Sequence, residues 1–228
     1  MEDKIQVIAR IKTDFPEKFG IPRQSNVVAE LKGRIVFEPE FRNPDMVRGL
    51  EEFSHIWLIW QFSKNLDGEG KSRWSPTVRP PRLGGNTRMG VFATRSPFRP
   101  NPLGLSVVAI DRIELDTAEG PVIYVKGADM VDGTPIYDIK PYVPYVDSIP
   151  EAKGGFTDST EYKTLKVVWD VDAPEDIRDN LEKILSNDPR PHYQDDPDRI
   201  YGMAYAGYEI KFRVVDDKVM VIGVENRI

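Results

Sequence analysis

Between Ile5 and Asp147 the chain reads as short strand-forming runs joined by loops, and no connection has the length of a crossover helix. Parallel strands need such crossovers, whereas antiparallel strands do not. This pattern argues against a doubly wound sheet and for an antiparallel or mixed barrel. The expected strands are Ile5–Ile11, Gly33–Phe37, His55–Phe62, Arg88–Ala93, Leu105–Leu115 and Pro121–Val131, chosen for β-branched and aromatic content between turn residues. HIWLIWQF, nearly all apolar, suits a strand buried on both faces. One short helix is expected in NPDMVRGLEEF, with Asn43 as N-cap and Pro44 at the first helical position.

The pattern changes after a small, polar run at 149–160, which reads as a linker. Beyond it, YKTLKVVWD reads as a strand and APEDIRDNLEKILS as an amphipathic helix with Ile177, Leu181, Ile184 and Leu185 on one face. The segment from Ile200 to Glu225 reads as a strand pair turning at Asp216-Asp217. Two domains are therefore expected, a mainly β unit over 1–148 and a smaller α+β unit over 161–228.

Charge is distributed unevenly. The whole chain carries a net −6, yet Lys71 to Ile110 contains seven basic residues and no Asp or Glu. Local sign steers ligands more than the total does, so this stretch reads as an anion-binding surface. Its end, GVFATRSPFRPNPLGLS, is stiffened by Pro97, Pro100 and Pro102, each of which also extends the residue before it. Arg95, Arg99 and Asn101 are the donors that this rigid loop presents. Phosphate, nucleic acid and carboxylate all remain open on charge alone.

Several chemistries are poorly served. There are no cysteines, which removes disulfides and thiolates. The two histidines, His55 and His192, form no ligand array, so no metal site is expected. No P-loop or Rossmann glycine pattern occurs, and Gly84, Gly85 and Gly90 read as turn glycines. Ser96 and Ser106 lack a nucleophile-elbow context. Asp129, Asp132 and Asp138 offer acid or base chemistry, but carboxylates beside turns such as DGTP are commonly turn formers. No run approaches the roughly 20 apolar residues of a membrane helix and the start has no signal-peptide pattern, so a cytoplasmic protein is expected. An enzyme of this composition would draw its reactivity from a cofactor.

KFGIPRQ (Lys18 to Gln24), VRGLEEFSHIWLIWQF (Val47 to Phe62), TVRPPRLGGNTRMGVFATRSPFRPNPLGLS (Thr77 to Ser106) and VDGTPIYDIKPYVPYVDS (Val131 to Ser148) resemble the TrmO family. DPRPHY (Asp188 to Tyr193) and the run from Ile200 to Asp217 are similar to the smaller C-terminal domain of its bacterial members. The resemblance implies a single-sheet β-barrel methyltransferase acting as a homodimer. Its cofactor would be S-adenosylmethionine, and its acceptor N6 of N6-threonylcarbamoyladenosine beside the tRNA anticodon. It implies cofactor contacts from Pro22, Arg23 and Gln24, from Phe62 and Ser63, from Arg95, and from the turn Asp132, Gly133, Thr134 and Pro135. Leu105 is expected at the cofactor from the partner subunit. Asp138 is the candidate base, with Lys140 or Tyr142 nearby, and Arg79, Arg82, Arg88, Arg99 and Asn101 are candidate tRNA contacts. The alternative reading is a non-enzymatic module that senses a small ligand or binds RNA.

Overall fold

Six antiparallel strands close into a barrel in the computed structural model, which describes residues 5–160, 163–191 and 196–227. They are β1 (Ala9–Thr13), β2 (Lys32–Phe37), β3 (His55–Gln61), β6 (Leu103–Glu114), β7 (Val122–Lys126) and β8 (Thr134–Pro141). Around the barrel the order is β1-β2-β7-β6-β3-β8, and β8 closes on β1 through Ile11 opposite Thr134 and Ala9 opposite Ile136. Two short strands, β4 (Thr77–Val78) and β5 (Met89–Gly90), pair inside the long connection between β3 and β6.

Because neighbours alternate in direction, the end of β1, the end of β3, the start of β6, the end of β7 and the start of β8 all meet at one rim. Three long connections leave from that rim: 14–31, 62–102 and 127–133. Every stretch assigned to the cofactor or to tRNA, Leu105 and Asp138 excepted, lies on one of these loops or at the first turn of β8.

The barrel interior is apolar and fully closed, with Ala9, Ile11, Ile35, Ile56, Leu58, Val108, Ile123 and Ile136 at 0% exposure. β3 corrects the expectation of burial on both faces. Ile56, Leu58 and Trp60 point inward and are buried, while His55, Trp57, Ile59 and Gln61 alternate outward and are half-exposed. Gly104 faces Trp60 across the interior, and a Cβ there would lie 2.2–2.6 Å from the indole ring. Glycine at that position makes room for the largest side chain in the barrel.

The second core is built from β9 (Lys166–Trp169), β10 (Tyr201–Tyr205), β11 (Tyr208–Val215) and β12 (Lys218–Asn226), in the order β10-β11-β12-β9 with β9 parallel to β12. The helix α2 (Glu175–Ser186) buries the expected Ile177, Leu181, Ile184 and Leu185 in the second core; α1 (Pro144–Asp147) is a single turn after the barrel. The β1–β2 loop joins this second core through Phe15, Val28 and Leu31, with Phe19 and Ile21 packed against it. Gly20, at φ 94°, passes so close to Met203 that a Cβ would sit 1.9 Å from its sulfur.

Local corrections have local causes. The expected strand pair at Ile200–Glu225 is three strands, because Ala206-Gly207 adopts left-handed backbone (φ 49° and 84°) and makes a hairpin of its own. NPDMVRGLEEF forms two 3₁₀ turns, Pro44–Val47 and Leu50–Glu52, since Arg48 is extended and Gly49 sits at φ 81°. Asn43 does cap, accepting from the Asp45 amide at 3.0 Å. The first strand begins at Ala9 and runs to Thr13, not Ile5–Ile11. Arg88–Ala93 is strand only at Met89–Gly90 before a 3₁₀ turn, and the Pro121–Val131 strand stops at Lys126, where Gly127 turns at φ 80°. His192 lies outside the described residues.

Candidate functional site

The rim of the barrel gathers the motif residues through one polar chain. Trp60 stands one residue before the end of β3, and its indole N–H donates to the Ser106 hydroxyl of the neighbouring strand β6 at 3.0 Å. Ser106 in turn donates to the Asp129 carboxylate at 2.7 Å. Asp129 also accepts from the backbone amide of Ser25, next to Gln24, and is attracted electrostatically by Arg95. Arg95 donates to the Gln24 side-chain carbonyl at 2.5 Å. Gln24 donates to the Arg23 carbonyl at 2.5 Å.

Segments 71 residues apart in the chain are thereby stitched together, and the PRQ and ATRS motifs become one surface. Burial pushes the Asp129 carboxyl up to about 6 from its ordinary 3.8, against the opposing pull of its hydrogen bonds and of Arg95.

Arg23 itself reaches to the loop that follows α2. Its guanidinium donates to the carbonyls of Arg190 at 3.0 Å and Asp188 at 3.4 Å. Asp188 and Arg190 hold that loop with an ion pair at 2.9 Å whose side chains are only 15% and 12% exposed. Pro22 is buried beneath. Lys18 of the same motif donates to the Lys64 carbonyl and the Asn65 side chain, both at 3.2 Å, so it braces the turn after β3 that carries Phe62 and Ser63. Phe62 lies half-exposed at the rim, 4.3 Å from the Trp60 ring between centroids.

The DGTP turn closes the β8–β1 seam. Asp132 accepts from the Thr13 amide at 3.1 Å and pairs with Lys12 at 3.8 Å. The Gly133 amide donates to Ile11 at 2.8 Å, Arg10 donates to the Gly133 carbonyl at 3.2 Å, and the Thr134 hydroxyl donates to Val131 at 2.7 Å. Pro135 is buried opposite Arg10. Asp132 to Pro135 are thus at the same rim as Arg23, Gln24, Phe62 and Arg95.

Leu105, near the start of β6, and Asp138 face away from that rim. Both stand on the outer wall, on either side of Ile59. Leu105 is 55% exposed, and Asp138 pairs with Lys140 at 3.0 Å. Thr134 to Asp138 spans four strand residues, about 13 Å. The wall also carries a groove of about 420 Å³ lined by Asn26, His55, Trp57, Val107, Tyr142 and Asp147. Trp57 donates to Asp147 there at 3.0 Å and lies 5.8 Å from the Tyr142 ring.

The long arm between β3 and β6 presents Arg79, Arg82, Arg88 and Asn101 on its surface. Trp74, Phe92 and Phe98 are exposed among them at 58%, 79% and 46%. Arg99 differs from these. It donates to the carbonyls of Thr94 at 3.0 Å and Ser96 at 3.3 Å, and so fixes the fold of the loop that bears Arg95.

The sequence reading weighs Asp129 as an acid or base and Ser106 as a nucleophile, and assigns neither to the site. Neither sits in a recognisable catalytic pattern, and only the pairing of β3 with β6 brings Ser106 beneath Trp60. Among the described residues no group of His, Asp and Glu could hold a metal ion, and no helix is long and apolar enough to cross a membrane.

Comparison with known proteins matches both halves of the chain. The tRNA-methyltransferase O N-terminal domain family covers residues 10–148, and the TrmO C-terminal domain family covers 156–227. A tRNA (adenine(37)-N6)-methyltransferase of Escherichia coli K12 is 35% identical over 98% of both chains. One from Eikenella corrodens is 48% identical over 71% of this chain and 91% of its own. The crystal structure of TrmO from Pseudomonas aeruginosa superimposes with a TM-score of 0.77 at 29% identity, covering 99% of each chain.

Proposed function

The chain belongs to the tRNA-methyltransferase O family, and from that premise we propose that it methylates N6 of adenine 37 in tRNA with S-adenosylmethionine as donor. The acceptor we infer is N6-threonylcarbamoyladenosine, in a cytoplasmic tRNA pool. The observation that carries this reading is the rim itself, where Arg23, Gln24, Phe62, Arg95 and the DGTP turn converge although they are dispersed in sequence.

The donor set suits this cofactor. Arg95 supplies a guanidinium for a carboxylate, Gln24 and the backbone around it supply amides for a base, and Phe62 supplies an aromatic face for a sulfonium. When bound, the cofactor supplies an electrophilic methyl group. The protein's work is then alignment, exclusion of water and control of one proton. Pro22, buried, and Arg23, tied to the loop that follows α2, hold the PRQ segment still. The acceptor nitrogen is conjugated to a carbonyl, so a base must relieve it of its proton.

Asp138 remains the proposed base, and its place on the outer wall has a consequence. Asp138 and Leu105 reach a rim only if it belongs to a second copy. We therefore infer a homodimer in which the wall of β3, β6 and β8 faces the partner's site. The apolar and aromatic character of that wall (Trp57, Ile59, Val107, Tyr142) supports this arrangement. The arm, basic and studded with exposed aromatic rings, has the chemistry for phosphates and unstacked bases of an anticodon loop. Mass spectrometry of tRNA nucleosides after incubation with protein and cofactor tests the reading. A methylated N6-threonylcarbamoyladenosine is the expected product, and unmodified nucleosides in the presence of competent tRNA would refute it.

A further inference from the structure

Asp129 takes no part in the roles described so far, yet it meets β6 through Ser106, the β1–β2 loop through the Ser25 amide and the arm through the pull of Arg95. We propose that Asp129 is a positioning residue: its carboxylate, fixed by Ser106, holds Arg95 and, through the Ser25 amide, the PRQ segment in the arrangement that receives the cofactor. The inference rests on the cofactor reading above and deepens it.

The geometry has a fixed side and an adjustable side. On the fixed side, Trp60 donates to Ser106 and Ser106 donates to Asp129, both from buried positions in paired strands. On the adjustable side stand two loop elements, Ser25 in the β1–β2 connection and the exposed Arg95 in the arm. Loops at a rim have no ladder to hold them, so a charge anchored in the barrel is what registers them against each other. Gln24 completes the circuit by accepting from Arg95.

An ionised carboxylate does this work better than a neutral acid, because it accepts from Ser106 and Ser25 together and attracts a guanidinium. Burial makes the ionised form costly, and the Asp129 carboxyl is held at about 6. β3 and β6 face it with Trp60 and Ser106, the β1–β2 loop with the Ser25 amide, and the arm with Arg95. Trp60, Ser106 and the Ser25 amide are uncharged, and Arg95 brings the formal charge among them. Organisation of the rim should therefore fail as pH falls through the titration of Asp129 itself.

The test is titration calorimetry of the full chain with S-adenosylmethionine from about pH 8 to about pH 5. Wild type should bind with constant affinity at the upper end and lose at least about tenfold at the lower. Asp129→Asn should bind about tenfold more weakly at pH 8 and show a flat profile. Ser106→Ala removes a hydrogen bond that favours the ionised carboxyl, so its midpoint should move to higher pH. In turnover, Asp129→Asn should raise the cofactor KM and leave kcat at saturation, as a residue acting through Arg95 must.

A flat wild-type profile, or an Asp129→Asn profile that still follows the wild type, overturns the inference. A lost kcat at unchanged KM also overturns it, since that marks a group at the reacting atoms. Should Asp129→Asn fail to fold, the Ser106→Ala midpoint decides, and an unmoved midpoint is refutation. If Asp129→Asn alone binds normally while Arg95→Ala does not, the cofactor reading stands and this inference falls. If both bind normally, the pocket lies elsewhere and both fall.

Discussion

The two faces of β3 both present large apolar residues and have opposite fates. Inward, Ile56, Leu58 and Trp60 are at 0%, 0% and 6% exposure and meet Gly104, Ser106 and Val108 of β6. Outward, Trp57 and Ile59 meet Val107 and Leu105 and stay half-exposed or exposed. Large apolar residues alone cannot separate the faces, because the buried side and the half-exposed side draw on the same types, Ile and Trp. What distinguishes them is the polar content. The inner face has one hydrogen-bonded chain, Trp60 to Ser106 to Asp129, whereas the outer face carries His55, Asp138 and Lys140.

The sharpest way to break this comparison is to put alanine at one β6 position on each face. Gly104→Ala puts a Cβ into the Trp60 ring, which is buried and hydrogen-bonded and cannot swing away. Such overpacking should cost about 3 kcal/mol or more in chemical denaturation and displace Trp60 from Ser106. Its neighbour Leu105, exposed, should tolerate Ala within about 0.5 kcal/mol. Equal losses at the two positions would mean that the outer face is packed within one chain.

The second prediction asks what covers the outer face. Arg23→Ala disables the rim, and Leu105→Asp disables the wall offered to a partner. Each homodimer should be inactive. In an equal mixture half the dimers are heterodimers with one intact site each, so about a quarter of wild-type activity should return. Heterodimers that form but remain inactive would place rim and wall in the same chain.

How much of this was legible before the fold is clear from individual residues. The closed barrel followed from strand-sized runs without crossovers, and α2 from Ile177, Leu181, Ile184 and Leu185 at helical spacing. Motif residues such as Arg23 and Arg95 were legible as positions, because their neighbours Pro22 and Ser96 stand in a recognisable order. Their joint geometry was not, since it depends on Gln24 meeting Arg95 across 71 residues. Asp129 read as a turn former because its partners come from β6 and a distant loop. Ala206-Gly207 was missed because Ala206 is no turn former and a single glycine between strand formers also reads as a bulge, whereas Asp216-Asp217 announced itself. The periodicity of HIWLIWQF was invisible because both faces are apolar.

Arg95→Ala sharpens the comparison from the rim side. Losing a charge-assisted bond to the cofactor carboxylate should weaken binding at least about tenfold, about 1.4 kcal/mol, by calorimetry. An unchanged affinity would remove Arg95 from the site. Stability should move in the opposite direction for its neighbour Asp129. A carboxyl raised to about 6 favours the fold most when protonated, so its contribution is full below the ordinary 3.8 and is lost as pH rises through about 6. The ionised group then costs up to about 3 kcal/mol, partly offset by the hydrogen bonds that Asn would weaken. Asp129→Asn should therefore be more stable than wild type above about pH 7, by about 1 kcal/mol, while binding cofactor less well. A variant less stable at every pH would show that the hydrogen bonds outweigh desolvation.

The smallest expected effect separates arginines that face a ligand from those that hold the arm. Arg79 and Arg88 are exposed on an acid-free surface, so each alanine variant should reduce the slope of log affinity for tRNA against log salt by up to about one unit. The arm's fold should be untouched, because among the described residues the Arg88 contact is a single hydrogen bond to the Thr77 hydroxyl, at 3.2 Å. Arg99 is half-buried and spends its donors on Thr94 and Ser96, so the same substitution there should change the slope less. It should instead loosen the turn before Arg95 and weaken cofactor binding. Measuring both quantities on both kinds of variant gives a cross-over: slope without cofactor loss at Arg79, cofactor loss with little slope at Arg99. If Arg79 and Arg99 behave alike in both measurements, the arm is a single electrostatic surface and the hydrogen bonds of Arg99 carry no separate role.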